Sequence, residues 1–234
     1  MNFAKEISRS LVHIFFPHVC AGCGNDWINN DQLLCIHCLA KLPRTNFQLY
    51  ANNPVEKIFW GRAAISSACC QYYYTKNSIL QQILHDFKYN GKKQTGIFFG
   101  QIMGNALIQS ERFNNIEALV PLPLFPAKEK KRGYNQAAIL SEGISSVLKI
   151  PVFQNAIART SSTETQTHKN RMERWQNMSG KFEVKDRNCL EDKHILLVDD
   201  VITTGATLDA CANELLLVKG TRVSIATLAY TADL

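Results

Sequence analysis

Residues 195–207 read Ile195-Leu196-Leu197-Val198-Asp199-Asp200-Val201-Ile202-Thr203-Thr204-Gly205-Ala206-Thr207. Four apolar residues run into two adjacent acids, then into a short stretch of Thr, Gly and Ala. An unbroken apolar run suits a parallel strand buried on both faces. Ligands of open α/β sheets bind outside the carboxyl ends of such strands. Small residues let backbone N–H groups cup an anion, and the start of a helix favours negative charge. Leu208, Cys211, Ala212, Leu215 and Leu216 follow at helical spacing, which predicts a helix over 207–218. Gly220 is the expected stop, and 221–230 the next strand of a βαβ unit.

One ligand touching both the acids and the loop needs hydroxyls for the first and a phosphate for the second. A ribose 5-phosphate has both. Asp199 and Asp200 are expected to accept from its two hydroxyls, a strong charge-assisted bond type. Thr203, Thr204, Gly205, Ala206 and Thr207 are the expected phosphate cradle. An exposed acidic turn with no ligand is the plain alternative, but two acids at a buried strand end repel each other for no gain. The Gly-Lys-Ser/Thr ending of a Walker loop is missing, which argues against nucleotide triphosphate hydrolysis.

This string resembles the phosphoribosyl pyrophosphate loop of the type I phosphoribosyltransferases, with the acids, Thr-Thr-Gly and final Thr all present.

Working outward, 234 residues suffice for one α/β domain and a small appendage. No apolar run approaches the length of a membrane span. Phe3, Ile7, Leu11, Ile14 and Phe15 suit one face of a short N-terminal helix rather than a signal peptide, so a cytoplasmic location is expected.

The net charge of +6 is uneven: residues 121–180 hold nine Lys or Arg against four Asp or Glu. That bias points to anionic partners, although a solvated basic face serves equally well for any single lysine.

Eight cysteines are many for a cytosolic chain unless some bind metal. Cys20-x-x-Cys23 and Cys35-x-x-Cys38 are two knuckles separated by eleven residues, and four thiolates complete a tetrahedral zinc site. Gly22 and Gly24 ease the first turn. His18 and His37 are nearby alternatives, and a redox pair is the chemical rival. Cys69, Cys70, Cys189 and Cys211 lack partner spacing and are expected in the core. Residues 1–45 then form a helix and zinc ribbon, and 46–234 the α/β domain.

In the middle of the chain, 64–74 predicts a strand, 78–88 and 95–112 helices, and 118–123 a strand stopping at proline. The basic stretch 128–136 is expected as a strand-to-helix junction able to bind pyrophosphate, followed by a helix over 137–148. Residues 160–177 are polar and aperiodic and suggest a lid. Residues 182–184 and then Ile195 are expected to resume the sheet. Phe87-Lys88-Tyr89 suggests no particular chemistry.

Taken together, the chain resembles the ComF family of bacterial competence proteins over nearly its full length. The resemblance rests on the cysteine knuckles, Val120-Pro121-Leu122-Pro123, Arg132-Gly133-Tyr134-Asn135-Gln136, Gln166 with Arg171 and Asn177, and the acidic loop. It implies a zinc-ribbon N-terminus on a type I phosphoribosyltransferase-like parallel sheet flanked by helices. It also implies handling of single-stranded DNA during transformation, with a competence helicase or recombination proteins as partners. Mg²⁺ would accompany phosphoribosyl pyrophosphate. Asp199, Asp200, Lys131 and Arg132 are the candidate catalytic set, the two cations offsetting charge on the leaving group. Trp27, Lys41, Arg44, Lys130 and Lys131 are candidate DNA contacts. A metabolic phosphoribosyltransferase acting on a nitrogenous base and a non-catalytic phosphoribosyl pyrophosphate sensor are the competing readings. No base-binding hood is recognisable to favour the former.

Overall fold

A computed structural model describes residues 18–29, 32–160 and 181–231. The expected N-terminal helix and the polar stretch 160–177, apart from Thr160, lie outside the described residues.

Downstream of the first knuckle comes α1 (Ile36–Ala40), then a 3₁₀ turn (Phe47–Leu49) and α2 (Pro54–Lys57). Next are β1 (Ala68–Tyr73), α3 (Ile79–Tyr89) and α4 (Lys93–Ile108). They lead into β2 (Ala118–Pro121), α5 (Pro126–Arg132) and α6 (Gln136–Leu148). Short strands β3 (Ile157–Arg159) and β4 (Phe182–Val184) precede β5 (His194–Ile202), α7 (Ala206–Leu216) and β6 (Arg222–Tyr230).

The main sheet has the order β1-β6-β5-β2 and every pairing is parallel. Ile195, Leu196, Leu197 and Val198 are wholly buried, as an apolar strand covered on both faces must be. The chain also covers the outer edges of the sheet. Thr45 N–H donates to the Gln71 carbonyl (3.1 Å) and Tyr73 N–H to the Pro43 carbonyl (2.9 Å), so residues 43–45 run antiparallel to β1. On the other side Leu119 N–H donates to Pro151 (2.9 Å) and Phe153 N–H to Leu119 (2.8 Å), laying residues 151–153 along β2.

Helices α4 and α6 pack backbone to backbone at two glycines. A Cβ on Gly100 would lie 2.3 Å from the Leu140 carbonyl oxygen, and one on Gly143 would lie 2.4 Å from that of Ile97. The crossing therefore tolerates no side chain at either position.

Three expectations need correction. Residues 182–184 do not rejoin the main sheet; they pair antiparallel with Ile157–Arg159 in a separate two-stranded sheet. Three residues are too short to have carried a pairing preference in their own pattern. The basic stretch, expected only as a strand-to-helix junction, contains a helix of its own, α5, with a proline in its first turn and Lys130, Lys131 and Arg132 in its last. Cations there offset the helix dipole, and Gly133 at φ 81° ends the helix. Cys189 is half-buried, its thiol donating to the Asp186 carbonyl, whereas Cys69, Cys70 and Cys211 are core residues as expected.

Candidate functional site

Strand β5 carries the acid pair near its carboxyl end. Consecutive strand residues point to opposite faces, and the neighbours of the two acids differ accordingly. Asp200 Oδ2 lies 2.9 Å from Lys88 Nζ on α3. Asp199 interacts in addition with Arg159 on β3 and Cys211 on α7. Its Oδ1 accepts the Asp200 backbone N–H at 2.8 Å. Burial, then the Asp200 charge, pushes the Asp199 carboxyl well above the usual carboxylate range, against the opposing pull of Lys88.

After Ile202 the chain turns through exposed Thr203 and Thr204 to Gly205, which adopts φ 70° as the N-cap of α7. The Gly205 carbonyl accepts the first helical bond, from Asp209 N–H at 2.8 Å. No side chain caps this helix start, and the first-turn N–H groups of a helix have no intrahelical partner. The loop is buttressed from behind: Arg62 Nη1 donates to the Thr204 carbonyl (3.3 Å), and a Cβ on Gly205 would meet Ile58 Cγ2 at 2.4 Å. This backing from the α2 segment was not legible in the sequence, since nothing in residues 58–62 refers to a loop 142 positions away.

A pocket of about 330 Å³ opens beside the loop, lined by Tyr74, Gln81, His85, Lys88, Tyr89 and Thr203 among others. Arg132 places its guanidinium carbon 5.8 Å from the Tyr89 ring centre and donates to Gln136 Oε1 at 2.8 Å. Arg132 is thereby placed beside Tyr89 of α3, whereas Lys130 and Lys131 stand exposed on α5. Lys88, the ion-pair partner of Asp200, is the residue of this candidate site that sequence reasoning did not single out. The available signal was its position four residues after Leu84, on the rim of the buried stripe Leu80, Ile83, Leu84 and Phe87.

At the N-terminus, Cys20, Cys23, Cys35 and Cys38 bring their sulfur atoms within 4.8 Å of one another. The Cys23 and Cys35 sulfurs are 3.8 Å apart. Tetrahedral Zn–S bonds of about 2.3 Å space sulfurs at about 3.8 Å, so the four donors fit that ion. N–H groups of Gly22 (3.4 Å) and Cys35 (3.2 Å) point at Cys20 Sγ. Burial opposes ionisation of Cys20, but these backbone donors hold its thiol down at about 6. Burial and the surrounding sulfurs push Cys38 the other way. His18 bonds instead to the Gln32 carbonyl, and His37 lies outside the cluster. A Cβ on Gly22 would lie 2.9 Å from both Cys38 Sγ and Ile79 Cγ2, so the knuckle rests on the start of α3. Trp27 is 88% exposed on this module, Lys41 is exposed, and Arg44 is exposed with its backbone paired to Tyr72.

The chain is 30% identical to competence protein F of Haemophilus influenzae over 216 residues, covering 89% of this chain and 88% of that one. The chain belongs to the ComF family. Residues 131–233 match the phosphoribosyl transferase domain family, and the parallel sheet flanked by helices is the type I fold of those enzymes. The chain is also 24% identical to the DNA utilization protein YhgH of Escherichia coli O157:H7, covering 85% of this chain and 84% of that one. A glutamine phosphoribosylpyrophosphate amidotransferase from B. subtilis superposes at TM-score 0.42 and 15% identity, over 61% of this chain and 30% of the other. Within this ComF chain the matched domain takes in the acid pair, the glycine-capped loop and Arg132, while the four cysteines and Lys88 lie before it. No described helix is long and apolar enough to cross a membrane.

Proposed function

We propose that this protein binds phosphoribosyl pyrophosphate at the 199–207 site and handles single-stranded DNA during transformation. The observation that carries the first part is the junction itself. An acid pair leads within a few residues into a glycine-capped helix start that no side chain caps. The 5-phosphate takes the amides of Ala206 and Thr207 with the Thr203, Thr204 and Thr207 hydroxyls, and the ribose hydroxyls donate to the acids. Because the acids face opposite ways, they do not chelate one ion between them. Mg²⁺ typically uses one or two carboxylates together with substrate phosphates and waters. Asp200, buried beside Lys88, would be the residue to hold the ion, which would neutralise charge on the diphosphate. Arg132 and Lys131 supply further positive charge towards that group.

The DNA part is supported by relatives named for competence and DNA utilization, by the exposed indole of Trp27 and the exposed Lys41, and by the exposed Lys130 and Lys131. Aromatic faces with backbone-tracking cations are how proteins hold single strands without reading sequence. A cytoplasmic site of action and contact with a competence helicase or recombination proteins belong to the same reading, as does one structural zinc on the four cysteines.

Calorimetry of the full chain with phosphoribosyl pyrophosphate, with and without Mg²⁺, tests the first part. Saturable binding strengthened by Mg²⁺ is the expected result. Absence of binding under both conditions removes the ligand and leaves only the fold.

A further inference from the structure

The segment that runs from the ribbon into β1 carries an aromatic and basic surface of its own. Residues 41–66 hold four Lys or Arg (Lys41, Arg44, Lys57, Arg62) and one acid, Glu56. That acid is buried and engaged through both oxygens. Its Oε1 pairs with Arg112 and accepts Ala68 N–H at 3.1 Å, and its Oε2 accepts Asn52 N–H at 2.6 Å. No carboxylate of this segment is left to offset the four cations.

Two aromatic side chains stand out of the segment on backbone that is firmly held. Trp60 and Tyr50 are each 60% exposed. The Tyr50 carbonyl accepts from Arg112 Nη1 (2.7 Å) and Asn53 Nδ2 (3.0 Å). Trp60 follows buried Phe59, just beyond the helix that Asn53 caps. Lys57, three residues earlier, brings its ammonium to 5.8 Å from the indole centre. Beside the indole opens a cavity of about 360 Å³, lined by Phe59, Trp60, Ala63, Ile65, Asn52 and Ser66 among others. Apolar walls with a few polar groups suit a planar heterocycle. A single exposed tryptophan needs no explanation. Here the indole borders a cavity, has a cation on its ring and belongs to a segment with uncompensated positive charge.

We propose that the Trp60 cavity receives one base of a single-stranded nucleic acid, stacked on the indole, with Lys57 answering the adjacent phosphate and Tyr50 as a second stacking face. The inference rests on the reading that the protein handles single strands, and it sets part of that contact outside the ribbon. Single strands are held by cations that follow the backbone and by aromatic faces on which successive bases stack. An acidic peptide matches the charge but not the pairing of flat faces with cations, which suits alternating bases and phosphates.

The test is fluorescence anisotropy of the full chain with labelled oligothymidylate and with an abasic oligomer of the same length. Phe59 and Arg62 also back the phosphate loop and are left intact. Trp60→Ala should weaken oligothymidylate binding by about 10- to 100-fold, the range for one lost stacked base. It should leave the abasic oligomer unchanged. Trp60→Phe, which keeps a ring, should restore most of the loss. Lys57→Gln should weaken both oligomers and reduce the salt dependence by about one phosphate contact. Equal weakening of both oligomers by Trp60→Ala makes the indole merely structural and overturns the proposal. No change in either overturns it too: the DNA reading then stands, the strand lies elsewhere, and this surface is left to a protein partner. If the wild type binds no single strand at all, the reading and the proposal fall together. Trp60→Leu gives the same comparison should the Ala variant fail to fold.

Discussion

Asp199 is held in its less favoured state by its surroundings. Its raised pKa means that the folded protein keeps the Asp199 proton to higher pH than the unfolded chain does. For an acid, that sign makes stability fall as pH rises above the unfolded value near 3.8. Asp199→Asn should therefore raise the melting temperature, with a gain larger at pH 7.5 than at pH 5. Thermal unfolding followed by circular dichroism at the two values checks it, and a gain independent of pH contradicts the assignment of the cause. Such a cost fits a residue kept for ligand binding rather than for the fold. Asp200→Asn and Thr204→Val should each weaken phosphoribosyl pyrophosphate binding by about 1–3 kcal/mol, one losing charge towards ribose and the other a phosphate donor. Circular dichroism should show both variants folded, since Thr204 is exposed and its packing role is carried by its backbone carbonyl.

At the scale of elements, Gly205 joins β5 to α7 under two constraints at once. Its φ of 70° is disfavoured for other residues, and the Ile58 side chain occupies the space a Cβ needs. Gly205→Ala should destabilise the protein by about 1–3 kcal/mol and weaken ligand binding more than Thr204→Val does, because the amide cradle itself shifts. Urea unfolding together with the calorimetry separates the two effects. The strand, the loop and the helix after it were legible in the sequence because they are local: an apolar run, a Gly-Ala break, then a 3.6-residue period. The same holds for α3, whose buried face follows its spacing, and for the four cysteines. What was hidden depends on partners far along the chain. Lys88 acquires meaning only through Asp200, 112 positions later. The α5 helix was masked because its seven residues show no buried face at all, and so no periodicity to read. The pairing of 182–184 with 157–159 likewise depends on a hairpin that three-residue strands cannot announce.

For the whole molecule, the ribbon and the α/β domain meet where Gly22 rests against Ile79, at the head of the helix that ends in Lys88. Protein purified without chelator should contain about one zinc per chain by elemental analysis. Cys38→Ser should lower that content and loosen the start of α3, seen as faster amide exchange at residues 79–81. Metal-free protein with a folded ribbon contradicts the site. Labelled single strands should bind with an affinity that falls steeply with salt and exceeds that for duplex. Anisotropy across a salt series reads this directly, and Trp27→Ala should weaken single-strand binding by about 1–3 kcal/mol.

The segments laid along the two outermost strands, 43–45 beside β1 and 151–153 beside β2, have a bearing on assembly. An open sheet ordinarily offers its rims as templates on which a neighbour's extended peptide can add. Here the rims are already taken at Gln71, Tyr73 and Leu119 by the chain itself. Among the described residues, these positions on the main sheet are thus closed to strand addition, whether by another protein or by a second copy. A companion that approaches those two rims is met by side chains of the covering segments, where single substitutions on the surface can abolish one association and spare the rest.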